Sequence, residues 1–196
     1  MTRYAGVGSR NITDEEWSRI TKLSLYLGLQ GHVLNSGHAD GSDLAFETGS
    51  HEAVVKQGDL YNDHIFLPYS GFNRKRDLVD YLSEGCYVVP EMNEEAEQIV
   101  TAVVPYLERL KYDKKTGQLS FTWKAFLRNA YQVLGMDLHT HVDYLLCCSD
   151  WSKNGSVEGG TRVAYDLGVL HKIPCFNIRY PDEYSKFKLW FTENFK

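Results

Sequence analysis

Long apolar runs are missing from this chain of 196 residues. No stretch approaches the ~18 apolar residues that a membrane span requires, and the opening M-T-R-Y-A-G-V-G-S-R lacks a charged-then-apolar leader pattern. No membrane partner is expected, and the expected location is cytoplasmic. Cysteine is scarce: Cys86, Cys147, Cys148 and Cys175 include no C-x-x-C pair, which argues for buried thiols and against a disulfide scaffold. Positive charge is in deficit, with 21 Lys and Arg against 26 Asp and Glu and a net charge of -5. That balance disfavours a large phosphate-neutralising surface and so disfavours nucleic acid as a partner. No Walker A lysine follows any glycine turn, and no G-x-S-x-G occurs, so P-loop hydrolysis and serine-nucleophile chemistry are unsupported. His139 and His141 stand two apart, but no Cys or further His has useful spacing, so neither metal nor cofactor is expected.

What the chain does have is core material and glycine turns. Hydrophobic residues make up 43% of it, with 13 Tyr, 9 Phe and 4 Trp, which suits one domain over residues 1–196. The central stretch is N-S-G-H-A-D-G-S-D-L-A-F-E, Asn35 to Glu47. It follows the apolar run His32–Leu34 and places Ser36, Gly37, Gly41, Ser42 and Asp43 in a polar turn that opens a helix. Glycine allows close backbone approach, and the first N–H groups of a helix attract an anion. Asp43 and Glu47 are four apart and share a helix face.

Two further segments repeat the strand, turn, helix order. Tyr4–Val7 leads into Gly8-Ser9-Arg10, then a helix with capping-box spacing from Thr13. Gly6 and Gly8 form part of a dinucleotide fingerprint, but Asn11 stands where its third glycine belongs. Arg10 fits phosphate better, since a guanidinium pairs with two oxygens. The apolar run Val142–Cys148 leads into Asp150 and the turn Gly159-Gly160-Thr161. The order predicts a mostly parallel α/β sheet with helices on both faces, the turns collecting along one edge. Their backbone N–H groups would surround a phosphate, with Asp43, Glu47 or Asp150 accepting ribose hydroxyls. Between Glu91 and Gly135 the pattern is helical and interrupted by Pro105, which predicts a helical hairpin inserted before the strand at Val142. Arg128 and Asn129 on that hairpin would reach the pocket if it folds over the sheet. Arg74-Lys75-Arg76 is the densest basic cluster.

G-V-G-S-R at Gly6–Arg10, N-S-G-H-A-D-G-S-D at Asn35–Asp43, R-N-A-Y-Q-V-L-G at Arg128–Gly135, and G-G-T-R-V-A with the later I-P-C-F-N together resemble the SLOG superfamily of Rossmann-like nucleotide-binding proteins. The nearest look is to the DNA-processing protein A (DprA/Smf) branch and its small phage-encoded relatives, for which the location would be the host cytoplasm. The resemblance implies a pocket for a phosphate-bearing nucleotide or ADP-ribose-like ligand built from the same turns, used to recognise or sequester a nucleotide signal. It also implies two alternatives: N-glycosidase or deoxyribosyltransferase chemistry with Glu47 or Asp43 at the anomeric carbon, and single-stranded DNA binding as a recombination mediator. The glycosidase relatives resemble one another in P-G-G-x-G-T-x-x-E, whereas here Arg162, Val163 and Ala164 follow Thr161. Homo-oligomerisation is a further expectation.

Overall fold

The computed structural model describes residues 1–58, 62–73, 87–153 and 155–195. Its six strands are β1 (Arg3–Gly8), β2 (Val33–Ser36), β3 (His64–Phe66), β4 (Tyr87–Val88), β5 (Tyr144–Cys148) and β6 (Cys175–Asn177). They form one sheet in the order β4-β3-β2-β1-β5-β6, and every pairing is parallel. Among the described residues six α-helices accompany it: α1 (Asp14–Leu29), α2 (Ser42–Gln57), α3 (Glu94–Val103), α4 (Phe121–Leu134), α5 (Thr161–Leu170) and α6 (Pro181–Asn194). A 3-10 helix, Pro105–Leu110, follows α3, because proline cannot continue the α-helical ladder.

Alternation along the strands assigns the helices to faces. Ala5, Val7, Leu145 and Cys147 point into a core shared with α3, α4 and α5. Their neighbours Tyr4, Tyr144, Leu146 and Cys148 point into a second core, shared with α1, α2 and α6. A strand buried on both faces must be apolar at every position, which explains the unbroken run of β5. Burial pushes the Cys148 thiol up to about 11, as suits cysteines that serve as packing.

The α1 start follows its sequence signal. Thr13 accepts from the Glu16 N–H while Glu16 accepts from the Thr13 N–H, completing the capping box. The α4 end does too, with Gly135 at its C-cap. The chain from β4 to β5 carries α3, the 3-10 helix and α4 across the sheet from its edge to the strand beside β1. There the connections turn in opposite directions, so the segments leaving the paired carboxyl ends of β1 and β5 run to opposite faces of the sheet. In parallel α/β sheets that crevice is where ligands collect.

Candidate functional site, a cleft at the strand ends

The crevice holds a cavity of about 820 Å³. Its floor comes from the turn after β1 (Gly8 to Asn11) and the long turn after β5 (Ser149 to Arg162). One wall is α4, contributing Phe121, Phe126, Arg128 and Asn129, and Tyr106 stands at the edge. Of the residues expected from sequence, Gly8, Ser9, Arg10, Asp43, Arg128, Asn129, Asp150, Gly159, Gly160 and Thr161 line this space. Ser36, Gly37, Gly41, Ser42 and Glu47 are not among the lining residues.

The reason lies in what approaches each glycine. A Cβ on Gly37 would stand 1.0 Å from Arg128 Nη1, so it is the arginine of α4 that needs the missing side chain. Gly41 has φ +79, and a Cβ there would meet the Ser9 and Arg10 carbonyl oxygens at 2.5 Å. The first two turns therefore pack on each other. Their N–H groups are consumed inside the fold: Gly8 donates to Asp43 Oδ1 (3.1 Å), Ser9 to the Cys148 carbonyl (2.8 Å) and Ser42 to the Ser9 carbonyl (3.0 Å). The expectation that these three groups surround a phosphate is corrected accordingly. The Ser42 hydroxyl is also occupied, donating to the Ser9 carbonyl at 3.0 Å. That of Ser36 donates to the Gly6 carbonyl at 2.7 Å.

Arg128 reaches Asp43 across this seal, Nη1 to Oδ2 at 3.2 Å, with both side chains almost fully buried. Burial pushes the Asp43 carboxyl up, opposed by the Arg128 guanidinium and the Gly8 N–H. Burial likewise pulls Arg128 down, and the nearby Arg10 charge acts in the same direction. The Gln132 amide, oriented to satisfy its neighbours, accepts from Arg128 Nη1 (3.1 Å) and the Gly37 N–H (2.9 Å) and donates to Asn129 Oδ1 (2.9 Å). Asn129 Nδ2 in turn donates to the Gly160 carbonyl at 2.7 Å. Polar residues of α4 thus tie the β2 turn to the β5 turn.

Glu47 belongs to a separate buried group. His38 Nδ1 lies 3.0 Å from its carboxylate, and the Tyr87 hydroxyl donates to the same carboxylate. Asp43 and Glu47 do lie on one helix face, but that face looks into the protein.

The β5 turn is different. Gly159 and Gly160 are exposed, and a Cβ on Gly160 would find only Phe126 at 3.9 Å. Among the described residues no acceptor takes the Gly160 or Thr161 N–H, so the amino end of α5 opens on the cleft. Arg10 is exposed, its guanidinium 5.5 Å from the centre of the Phe121 ring. Arg162 lies 5.4 Å from the Tyr106 ring while pairing with Asp166 at 3.1 Å. Phe121 and Tyr106 are 40% and 47% exposed, and Phe121 also stacks on Phe72 with ring centres 5.8 Å apart. The cluster Arg74-Lys75-Arg76 falls outside the described residues. No group of three or more metal-ligating side chains occurs among those described.

Sequence reading missed Gln132, Arg162, Phe121 and Tyr106. The available signal for α4 was polar residues (Arg128, Asn129, Gln132) set among the apolar residues of its second half. All three are buried, so each had to find a partner.

No family model matches this chain, and no curated protein does. Among solved structures it is similar to DNA processing protein A from Helicobacter pylori, described for its single-stranded DNA binding mode. The fold is DprA-like. The TM-score is 0.52 at 15% identity, and the match covers 90% of this chain and 64% of that one. At that identity the likeness speaks for the fold alone. In this chain that fold is one all-parallel sheet with helices around it. No helix among the described residues is long and apolar enough to cross a membrane.

Proposed function

We propose that the cleft binds single-stranded DNA, holding a phosphate at the amino end of α5 between Arg10 and Arg162, with bases against Phe121 and Tyr106. The observation that carries this reading is the α5 end itself. The Gly160 and Thr161 N–H groups have no acceptor among the described residues, and they open on a cleft that also carries an exposed arginine and exposed rings. Helix amino ends and guanidinium groups hold phosphate oxygens, while aromatic faces accept any base by stacking. The single-stranded DNA binding described for the fold neighbour points the same way.

A second reading is a free phosphate-bearing nucleotide or ADP-ribose-like ligand. The cavity of about 820 Å³ favours it, being of small-ligand size, as does the net charge of -5. Cleavage of an N-glycosidic bond gains no support. Asp43 is held by Arg128, and Glu47 is held by His38 and Tyr87 away from the cavity lining.

Titrating a short fluorescent oligothymidylate at several salt concentrations, with thymidine monophosphate and ADP-ribose as competitors, separates the two readings. Contact with two or three phosphates predicts a log–log salt slope of about -1.4 to -2.1, at roughly -0.7 per phosphate. Tight binding of either free nucleotide, titrated directly by calorimetry, with no affinity for the oligonucleotide would favour the second reading. Absence of all binding would defeat both.

A further inference from the structure

Arg179, in the loop between β6 and α6, carries a guanidinium whose edges are used unequally. Two groups of the fold hold it from behind. Nε and Nη2 donate to the Glu16 carboxylate at 2.8 and 3.4 Å, and Nη2 donates to the Asn11 carbonyl at 2.9 Å. On the remaining edge Nη1 meets Asp150 Oδ1 at 2.8 Å. Arg179 and Glu16 are 14% and 13% exposed, whereas Asp150 is 64% exposed. The inner pair is fixed by the protein; the outer partner is a surface carboxylate, and exposed ion pairs are weakly held. Beside them lies a second cavity of about 430 Å³, lined by Asn11, Ile12, Thr13, Glu16, Asp150 and Arg179. Asn11 and Asp150 also line the main cleft, so the two spaces meet at those residues.

We propose that Arg179 is a second phosphate subsite and that Asp150 occupies it in the unliganded protein as a substitute anion. This rests on the reading of the main cleft as a phosphate site. A ligand with one phosphate at α5 and another further along its backbone would place the second where the Asp150 carboxylate sits. Exchange of one anion for another leaves the charge around Arg179 and Glu16 nearly unchanged, and a planar guanidinium suits phosphate oxygens as well as carboxylate oxygens. The ligand class is therefore one with at least two linked phosphates, either successive phosphates of a strand or a diphosphate bridge. A single phosphate gains nothing from this subsite.

Asp150→Asn tests this. It keeps the side-chain shape and removes the competing charge, so a terminally phosphorylated thymidine dinucleotide should bind about tenfold more tightly, while thymidine monophosphate should gain threefold or less. A diphosphate-bridged dinucleotide, titrated alongside, shows which two-phosphate source gains more. Glu158→Gln, which removes an exposed charge from the main cleft without touching Arg179, measures the general electrostatic gain. It should be small and equal for the one- and two-phosphate ligands. Thermal melting of Asp150→Asn should match wild type, since the partner removed is exposed. An equal gain for both ligand classes in Asp150→Asn, or a gain in Glu158→Gln as large and as selective, overturns the subsite and leaves the main cleft reading intact. Binding of neither class by any variant overturns both.

Discussion

The turns after β2 and β5 look alike in sequence, each with glycine, serine or threonine and a helix behind it, yet the protein uses them in opposite ways. In the β2 turn, Gly37 and Gly41 admit parts of the same chain: the Arg128 guanidinium and the carbonyl oxygens of Ser9 and Arg10. In the β5 turn, Gly159 and Gly160 are exposed, and no described residue accepts the Gly160 or Thr161 N–H where the helix behind them starts. A glycine turn signals close approach to something. It does not say whether that something is a ligand or another part of the fold. The arbiter is α4, whose Arg128 fills the space over one turn while its Asn129 braces the other from the side.

The largest expected effect comes from Gly37→Ala. Its Cβ would overlap Arg128 Nη1 at 1.0 Å and Gln132 at 2.7 Å, so the guanidinium must shift, and we expect its buried pair with Asp43 to separate. Separating a buried pair costs about 3–5 kcal/mol, and chemical denaturation should show a loss of that order. If Gly37→Ala retained wild-type stability, the β2 turn would not be sealed by Arg128. Arg128→Met should cost about as much by leaving Asp43 buried and unpaired. Adding Asp43→Leu should return part of the loss, because it removes the stranded charge; a double variant weaker than the sum of the singles would refute this pairing.

Arg10→Ala should act on the other side of the comparison. Charge-assisted hydrogen bonds contribute roughly 1.5–3 kcal/mol, so oligonucleotide affinity should fall about ten- to a hundredfold while melting without ligand stays put, because Arg10 is exposed. A lower melting temperature with normal binding would make Arg10 a structural residue. The smallest effect belongs to Gly160→Ala. Gly160 has φ -66 and open space around it, so its stability should stay within about 0.5 kcal/mol of wild type, in contrast to Gly37→Ala.

The sequence reading of the fold succeeded where periodicity was long or capped: the α1 capping box, the doubly buried β5 and the break at Pro105 all follow from local chemistry. β4 is two residues long, Tyr87–Val88, and two residues carry no period to read. The position of the candidate cleft was legible in outline, because parallel strands bring their turns to one edge whatever the details. What stayed hidden was pairing across distance. Nothing near Gly37 announces that Arg128 fills its space, and nothing near Asp150 announces Arg179, because these contacts join residues many positions apart. The spacing of Asp43 and Glu47 correctly put both on one face, but only packing decides whether that face meets solvent or core.

The comparison between the two turns is tested most directly by mapping backbone amide resonances while oligothymidylate is added. The account predicts the largest shifts at Gly160 and Thr161, with a smaller response at Arg10 and little change at Gly37 or Ser42, whose N–H groups are already taken. Shifts concentrated at Gly37 and Ser42, with Gly160 and Thr161 unmoved, would contradict it.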